Sequence, residues 1–124
     1  MGMAADVGTL QRLPHLIGDG IMRELAYTGR NFDAAEALRM GLVNQVYDDH
    51  GALLEEVMQL AHTIAGKSPV AIRGTKEMIR FARDHSVEDG LNYIASWNAS
   101  MLQSEDLKLA MQAHMTKKNP EFKD

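Results

Sequence analysis

Ala52-Leu53-Leu54-Glu55-Glu56-Val57-Met58-Gln59-Leu60-Ala61-His62-Thr63-Ile64-Ala65-Gly66 is the stretch whose reading decides the fold. Leu53, Leu54, Val57, Leu60, Ala61, Ile64 and Ala65 recur at the 3.6-residue spacing that lines one face of a helix. Gly66 stops the pattern, as glycine does just past a helix end. The same period continues beyond it. Ser68-Pro69 reads as an N-cap followed by proline at the first helical position. Val70, Ile72, Met78, Ile79 and Ala82 are the buried candidates of that helix. Ser86, with Asp89 three residues on, opens another, lined by Val87, Leu91, Ile94, Ala95, Trp97, Asn98, Met101 and Leu102. Ser104-Glu105-Asp106 sets acids at a helix start, where they suit the macrodipole. Leu107, Met111 and Met115 carry the stripe on, and Pro120 marks the tail.

Working back from Ala52, the punctuation still favours helices. Gly18-Asp19-Gly20 precedes Ile21, Met22, Leu25 and Ala26, and Gly29 ends that stripe. Asp33 and Glu36 form a capping-box arrangement, and Gly41 closes the short helix. Leu42-Val43-Asn44-Gln45-Val46-Tyr47 is the one β-like stretch, ended by Asp48-Asp49-His50-Gly51. The expectation is a mainly α chain, about two thirds helical against a base rate near one third, with at most one short strand around 43–47. Doubly wound, barrel and sandwich folds are excluded, since each needs several strands.

Composition narrows the function classes. The 124 residues suit one domain, and 13 basic against 17 acidic side chains leave a net charge of −4. Lys and Arg are dispersed, so no basic stripe points to nucleic acid. The absence of cysteine removes disulfides, thiolate nucleophiles and cysteine-ligated metal. His15, His50, His62, His85 and His114 contain no i, i+3 or i, i+4 pair, so no metal site is expected. No apolar run reaches membrane-spanning length, and no secretory signal pattern opens the sequence, so the cytoplasm is the expected compartment. The nine Met residues read as filler for irregular helical packing. Thr28-Gly29-Arg30 reads as a turn with a solvated Arg, with anion contact as the alternative. Trp97 reads as a core or interface residue.

Asp6 is the one candidate for chemistry that the residues alone suggest. Followed by Val7-Gly8-Thr9-Leu10-Gln11-Arg12-Leu13, it is most economically a helix N-cap. Its neighbours Met3, Ala4, Ala5 and Val7 are apolar, and a carboxyl group enclosed by them is raised toward the range useful for proton transfer. Both readings stay open on the residues.

In order, Gly8-Thr9-Leu10-Gln11-Arg12-Leu13-Pro14, Gly18, Thr28-Gly29-Arg30, Ala34 with Glu36-Ala37, and Gly41-Leu42-Val43 resemble the enoyl-CoA hydratase/isomerase (crotonase) family. Ser68-Pro69-Val70-Ala71, Thr75-Lys76, Ser104-Glu105-Asp106 and Lys117-Lys118-Asn119-Pro120-Glu121-Phe122 continue the resemblance to the end of the chain. Ala4-Ala5-Asp6-Val7-Gly8 is similar to the Δ3,5-Δ2,4-dienoyl-CoA isomerase branch, where hydratases carry Gly at the place of Asp6. Arg83-Asp84-His85-Ser86-Val87, Leu91-Asn92-Tyr93 and Trp97-Asn98 point the same way.

The resemblance implies the C-terminal helical part of a crotonase-like fold. Residues 1–50 would end the crotonase core, and residues 51–124 would form the helical trimerisation region. It implies a parent enzyme that shifts double bonds of a dienoyl-CoA in fatty-acid β-oxidation, with Asp6 as one proton-transferring carboxylate. The second, a Glu, and the oxyanion-hole segments would lie upstream of Met1, so the chain alone is expected to be inactive. Lys117, with Lys118 beside it, would contact CoA phosphates; a solvated basic helix end is the plainer alternative. No cofactor is implied, because the acyl-CoA thioester is the substrate. A homo-oligomer, trimer or hexamer, is expected, with no nucleic-acid or membrane partner. The alternatives are a stand-alone helical oligomerisation module without catalysis, and an enoyl-CoA hydratase parent.

Overall fold

Short polar side chains set where most of the helices begin. In a computed structural model that describes residues 2–123, seven α-helices follow one another: α1 (Thr9–Arg12), α2 (Asp19–Thr28), α3 (Ala34–Arg39), α4 (His50–Ala65), α5 (Pro69–Phe81), α6 (Val87–Met101) and α7 (Glu105–Thr116). A single 3-10 turn, Leu13–His15, follows α1. The Ser68 hydroxyl accepts the Ala71 N–H at 3.1 Å, and Ser104 accepts that of Leu107 at 3.3 Å. Ser86 and Asp89 form the reciprocal capping box at the head of α6. Ser86 N–H and Oγ–H both donate to the Asp89 carboxylate, which these bonds hold below the ordinary carboxylate range.

The chain divides into two compact units, Met1–Leu54 and Glu55–Asp124. The first has its own core. Ile17, Leu25, Ala37 and Met40 are buried together, with Leu13, Met22 and Leu42 packed against them. Gly41 (φ 79°) makes this possible by ending α3 in a left-handed turn. Its N–H donates to Leu38 O, and that of Leu42 donates to Ala37 O at 2.9 Å, the paired bonds of a Schellman motif. Leu42 is thereby folded back onto the buried cluster.

The second unit is held differently. Gly74 is buried in α5 because the Trp97 indole of α6 lies directly on it. A β-carbon built at position 74 would sit 2.4 Å from Trp97 Nε1. The Asp106 carboxylate, at the start of α7, accepts the Ser68 hydroxyl at 2.6 Å and the Val70 N–H at 3.3 Å. It therefore joins the first turns of α5 and α7. His85 closes α5: its ring stacks on Phe81 at 3.6 Å and its Nδ1 lies 2.9 Å from Phe81 O.

The fold is mainly α, and no strand forms among the described residues, within the expected limit of at most one around 43–47. Other expectations are corrected. Helix α4 begins at His50, not Ala52, because the Asp49 carboxylate accepts the Ala52 N–H at 2.9 Å and acts as its cap. Asp33 caps α3 through the Glu36 N–H at 2.7 Å, but the Glu36 carboxylate does not return the bond. It takes two hydrogen bonds from Arg30, at 2.6 and 3.0 Å, since a charged forked donor outcompetes a backbone N–H. The apolar stripe of α4 is also not buried: Leu53, Leu54, Val57, Leu60 and Ile64 are all exposed. In α5, Ile72 and Ile79 are exposed too, while Val70 and Met78 are half-buried.

Candidate functional site

Asp6 precedes α1 without capping it. The N-cap of α1 is Gly8, in the left-handed region at φ 86°, and no side chain caps the helix. Val7 is left-handed as well, at φ 47°. Thr9 N–H donates to Asp6 O at 3.0 Å, so residues 6–9 form a β-turn with both central residues at positive φ. That is the type I′ pattern, which points the chain away from the geometry an N-cap needs. The Asp6 carboxylate makes no hydrogen bond or ion pair among the described residues, and it is exposed. The cap reading is thus overturned by the backbone. The enclosing environment expected from Met3, Ala4, Ala5 and Val7 is also not formed, because all four are exposed.

Lys117 and Lys118 follow α7. Lys117 adopts the left-handed conformation (φ 53°) that closes the helix. Its N–H donates to His114 O at 3.3 Å, and that of Lys118 donates to Ala113 O at 3.0 Å. This is again a Schellman motif, now with lysine where glycine is preferred. Both side chains are exposed and neither makes an ion pair among the described residues. Asp6 belongs to the first unit and the two lysines to the second.

Arg30 is exposed, as the turn reading of Thr28-Gly29-Arg30 expects, but it is ion-paired and so not an open anion contact. Its Nε donates to Glu24 at 2.7 Å and its two terminal nitrogens to Glu36. The two carboxylates neutralise it in place, and Arg30 holds Glu36 below the ordinary carboxylate range. No group of three or more His, Asp or Glu among the described residues is placed to hold a metal ion.

Two cavities open within the units, and neither includes Asp6, Lys117 or Lys118. One of about 440 Å³ lies in the second unit among Ser68, Val70, Trp97, Met101, Asp106 and Leu107. The other, of about 460 Å³, lies in the first unit beside Ala37, Val43, Val46, Tyr47 and Leu53. Neither the Gly74–Trp97 contact nor the Asp106–Ser68 bond is legible from sequence, because both join residues far apart in the chain. The Val7-Gly8 turn had one legible signal: a glycine one residue before the helix, where a capping Asp would ordinarily be followed by helix formers.

No helix among the described residues is long and apolar enough to cross a membrane. The sequence matches the enoyl-CoA hydratase/isomerase family over residues 1–124. It is 51% identical over 124 residues to the human mitochondrial Delta(3,5)-Delta(2,4)-dienoyl-CoA isomerase, covering 99% of this chain and 37% of that protein. It is 45% identical over 122 residues to the peroxisomal enzyme of the same name from Arabidopsis thaliana, covering 98% of this chain and 44% of that one. The chain therefore spans less than half the length of these curated relatives. Among solved structures, an enoyl-CoA hydratase from Bacillus anthracis superposes with a TM-score of 0.93 at 34% identity, over 98% of this chain and 47% of that one. With a match across its whole length and relatives at this level of identity, the chain belongs to the enoyl-CoA hydratase/isomerase family.

Proposed function

We propose that this chain is the C-terminal part of an isomerase that shifts the double bonds of a dienoyl-CoA, with Asp6 as one of its two proton-transferring carboxylates. The observation that carries this reading is the Asp6 carboxylate, which caps no helix and has no partner among the described residues, at the position where the sequence resembles the isomerase branch. A carboxylate that is neither a cap nor an ion-pair partner is available to exchange a proton with a carbon acid. One carboxylate takes a proton from a carbon conjugated to the thioester, and the negative charge moves onto the thioester oxygen. A carboxyl group on the other side delivers a proton to a different carbon, so the acyl chain changes bond positions but not composition. The oxyanion requires preorganised N–H donors, whose loss costs about 100-fold or more in rate. These donors and the partner Glu are supplied by the longer protein.

On this reading the chain by itself is inactive. Lys117, with Lys118, contacts CoA phosphates, and the assembly is a homo-oligomer, a trimer or hexamer. Residues 1–50 close the catalytic core, and residues 51–124 carry the association surface. No cofactor takes part. Composition points to the cytoplasm, whereas the isomerase relatives bear mitochondrial and peroxisomal names; imaging the tagged full-length protein separates these compartments.

The test is an absorbance assay of dienoyl-CoA conversion. We expect no turnover by the chain, turnover by the longer protein that carries it, and loss of on the order of 100-fold or more in kcat on Asp6→Asn. Unchanged kcat in that variant removes Asp6 from the reaction. Hydration of a simple enoyl-CoA in place of isomerisation would assign a hydratase parent. A second reading, a helical oligomerisation module without catalysis, is favoured by the exposed stripe of α4 and by exposed Met111 and Met115 on α7. It predicts concentration-dependent association with no turnover in any longer form.

A further inference from the structure

The turn that follows Asp6 includes a residue that resists it, Val7. Type I′ turns require positive φ at both central positions and favour Asn-Gly there. This one has Val7-Gly8. A β-branched residue at positive φ is a true outlier, since its two γ-carbons meet the backbone. Val7 is 86% exposed, so no packing in this chain explains the choice of side chain. Gly8 meets the second demand, and the Arg12 guanidinium lies across it, 3.2 Å from where a β-carbon would stand. That neighbour is the end of a flexible side chain and can give way, so the restriction at position 8 is conformational.

The ordinary alternative is clear. With Val7 and Gly8 in a right-handed conformation, Asp6 would stand at the head of a longer helix. Its carboxylate would then accept the Gly8 or Thr9 N–H as an N-cap. In the observed turn, Thr9 N–H is taken by the backbone carbonyl of Asp6, not by its side chain. From this geometry we infer that the Asp6–Thr9 turn is a positioning device. Gly8, the positioning residue, keeps the Asp6 carboxylate from being captured as a helix cap, leaving it available for proton transfer. The inference rests on the catalytic reading of Asp6 for its purpose, but not for its geometry.

Two measurements test it, and they fail separately. The first follows the Asp6 carboxyl carbon and the Thr9 amide proton of this chain by NMR across an acid titration. In the unaltered chain and in Gly8→Asn, which tolerates the left-handed region, the Thr9 amide is expected to show no large shift as Asp6 titrates. In Gly8→Val it is expected to follow Asp6, as the amide bound by a capping carboxylate does. Capping in the unaltered chain, or identical behaviour of the Asn and Val variants, overturns the inference even if Gly8→Val proves poorly folded. The second compares kcat and KM in the active longer protein. Gly8→Val is expected to lose about 100-fold in kcat, the scale of a misplaced reacting group, at little cost in KM, while Gly8→Asn retains activity. Equal loss in both variants also overturns it. Full activity of Asp6→Asn would instead defeat the catalytic reading and leave the NMR result standing.

Discussion

Residues 13–42 and helix α4 carry apolar patterns of the same quality, yet only the first region covers its own. Leu25, Ala37 and Met40 face one another because Gly41 reverses the chain and returns Leu42 to the cluster. Leu53, Leu54, Val57, Leu60 and Ile64 of α4 form an equally regular stripe that no described residue buries. An apolar period therefore reports which face of a helix is apolar. It does not report whether that face is covered.

The largest effect that sharpens this contrast is Leu25→Ala. Leu25 is 8% exposed, and its truncation should cost about 2–4 kcal/mol in denaturant unfolding. Leu60→Ala, at 56% exposure, should stay within about 0.5 kcal/mol. A comparable loss at Leu60 would break the contrast by showing that the stripe is covered in solution. Next comes Gly74→Ala, whose new β-carbon meets a rigid indole instead of a flexible chain end. It should destabilise by about 1–3 kcal/mol, visible as a lowered thermal midpoint and altered Trp97 fluorescence.

A smaller effect is set by pH. Glu36 and Asp89 are both held below the ordinary carboxylate range, Glu36 by Arg30 and Asp89 by Ser86. The unfolded chain thus binds more protons than the folded chain in the acid range. Their stabilisation is complete above the unfolded values near ~pH 4 and is lost as pH falls through the folded ones. The thermal midpoint should decline across that window, and Glu36→Gln should flatten the decline. A midpoint that rises on acidification contradicts the assigned pairs. The smallest change has the opposite sign. Lys117→Gly replaces a strained left-handed lysine and should stabilise the chain by about 0.5–1 kcal/mol. If Lys117 contacts CoA phosphates as proposed, the same substitution in the longer protein should weaken CoA binding, measured by titration calorimetry.

The residues differ in how much of this they disclosed. Ser68-Pro69, Ser86 with Asp89, and Ser104 announced their helices because a cap acts on the next three residues. Asp49 is not legible as a cap because it follows a β-like run and its role depends on the register of α4. Residues 43–47 read as a strand on local propensity alone, and pairing needs a second strand that the described residues lack. At the candidate site, Asp6 was legible as the residue in question, but its role was decided by the φ angles of Val7 and Gly8. Glu36 was legible as half of a capping box and is instead claimed by Arg30, six residues before it. Sequence spacing names the acids; competition among donors decides what each one accepts.

The Asp106 carboxylate has a consequence for the order in which the second unit assembles. Its bond to Ser68 closes a segment of 38 residues, and it joins the two ends where α5 and α7 nucleate. Closing such a loop is entropically costly, and the cost is met once for both helices. Opening the Ser68–Asp106 contact should therefore release the first turns of α5 and α7 together. Their amide protons should share one opening free energy in hydrogen exchange, as a single cooperative block whose boundary is drawn by one carboxylate.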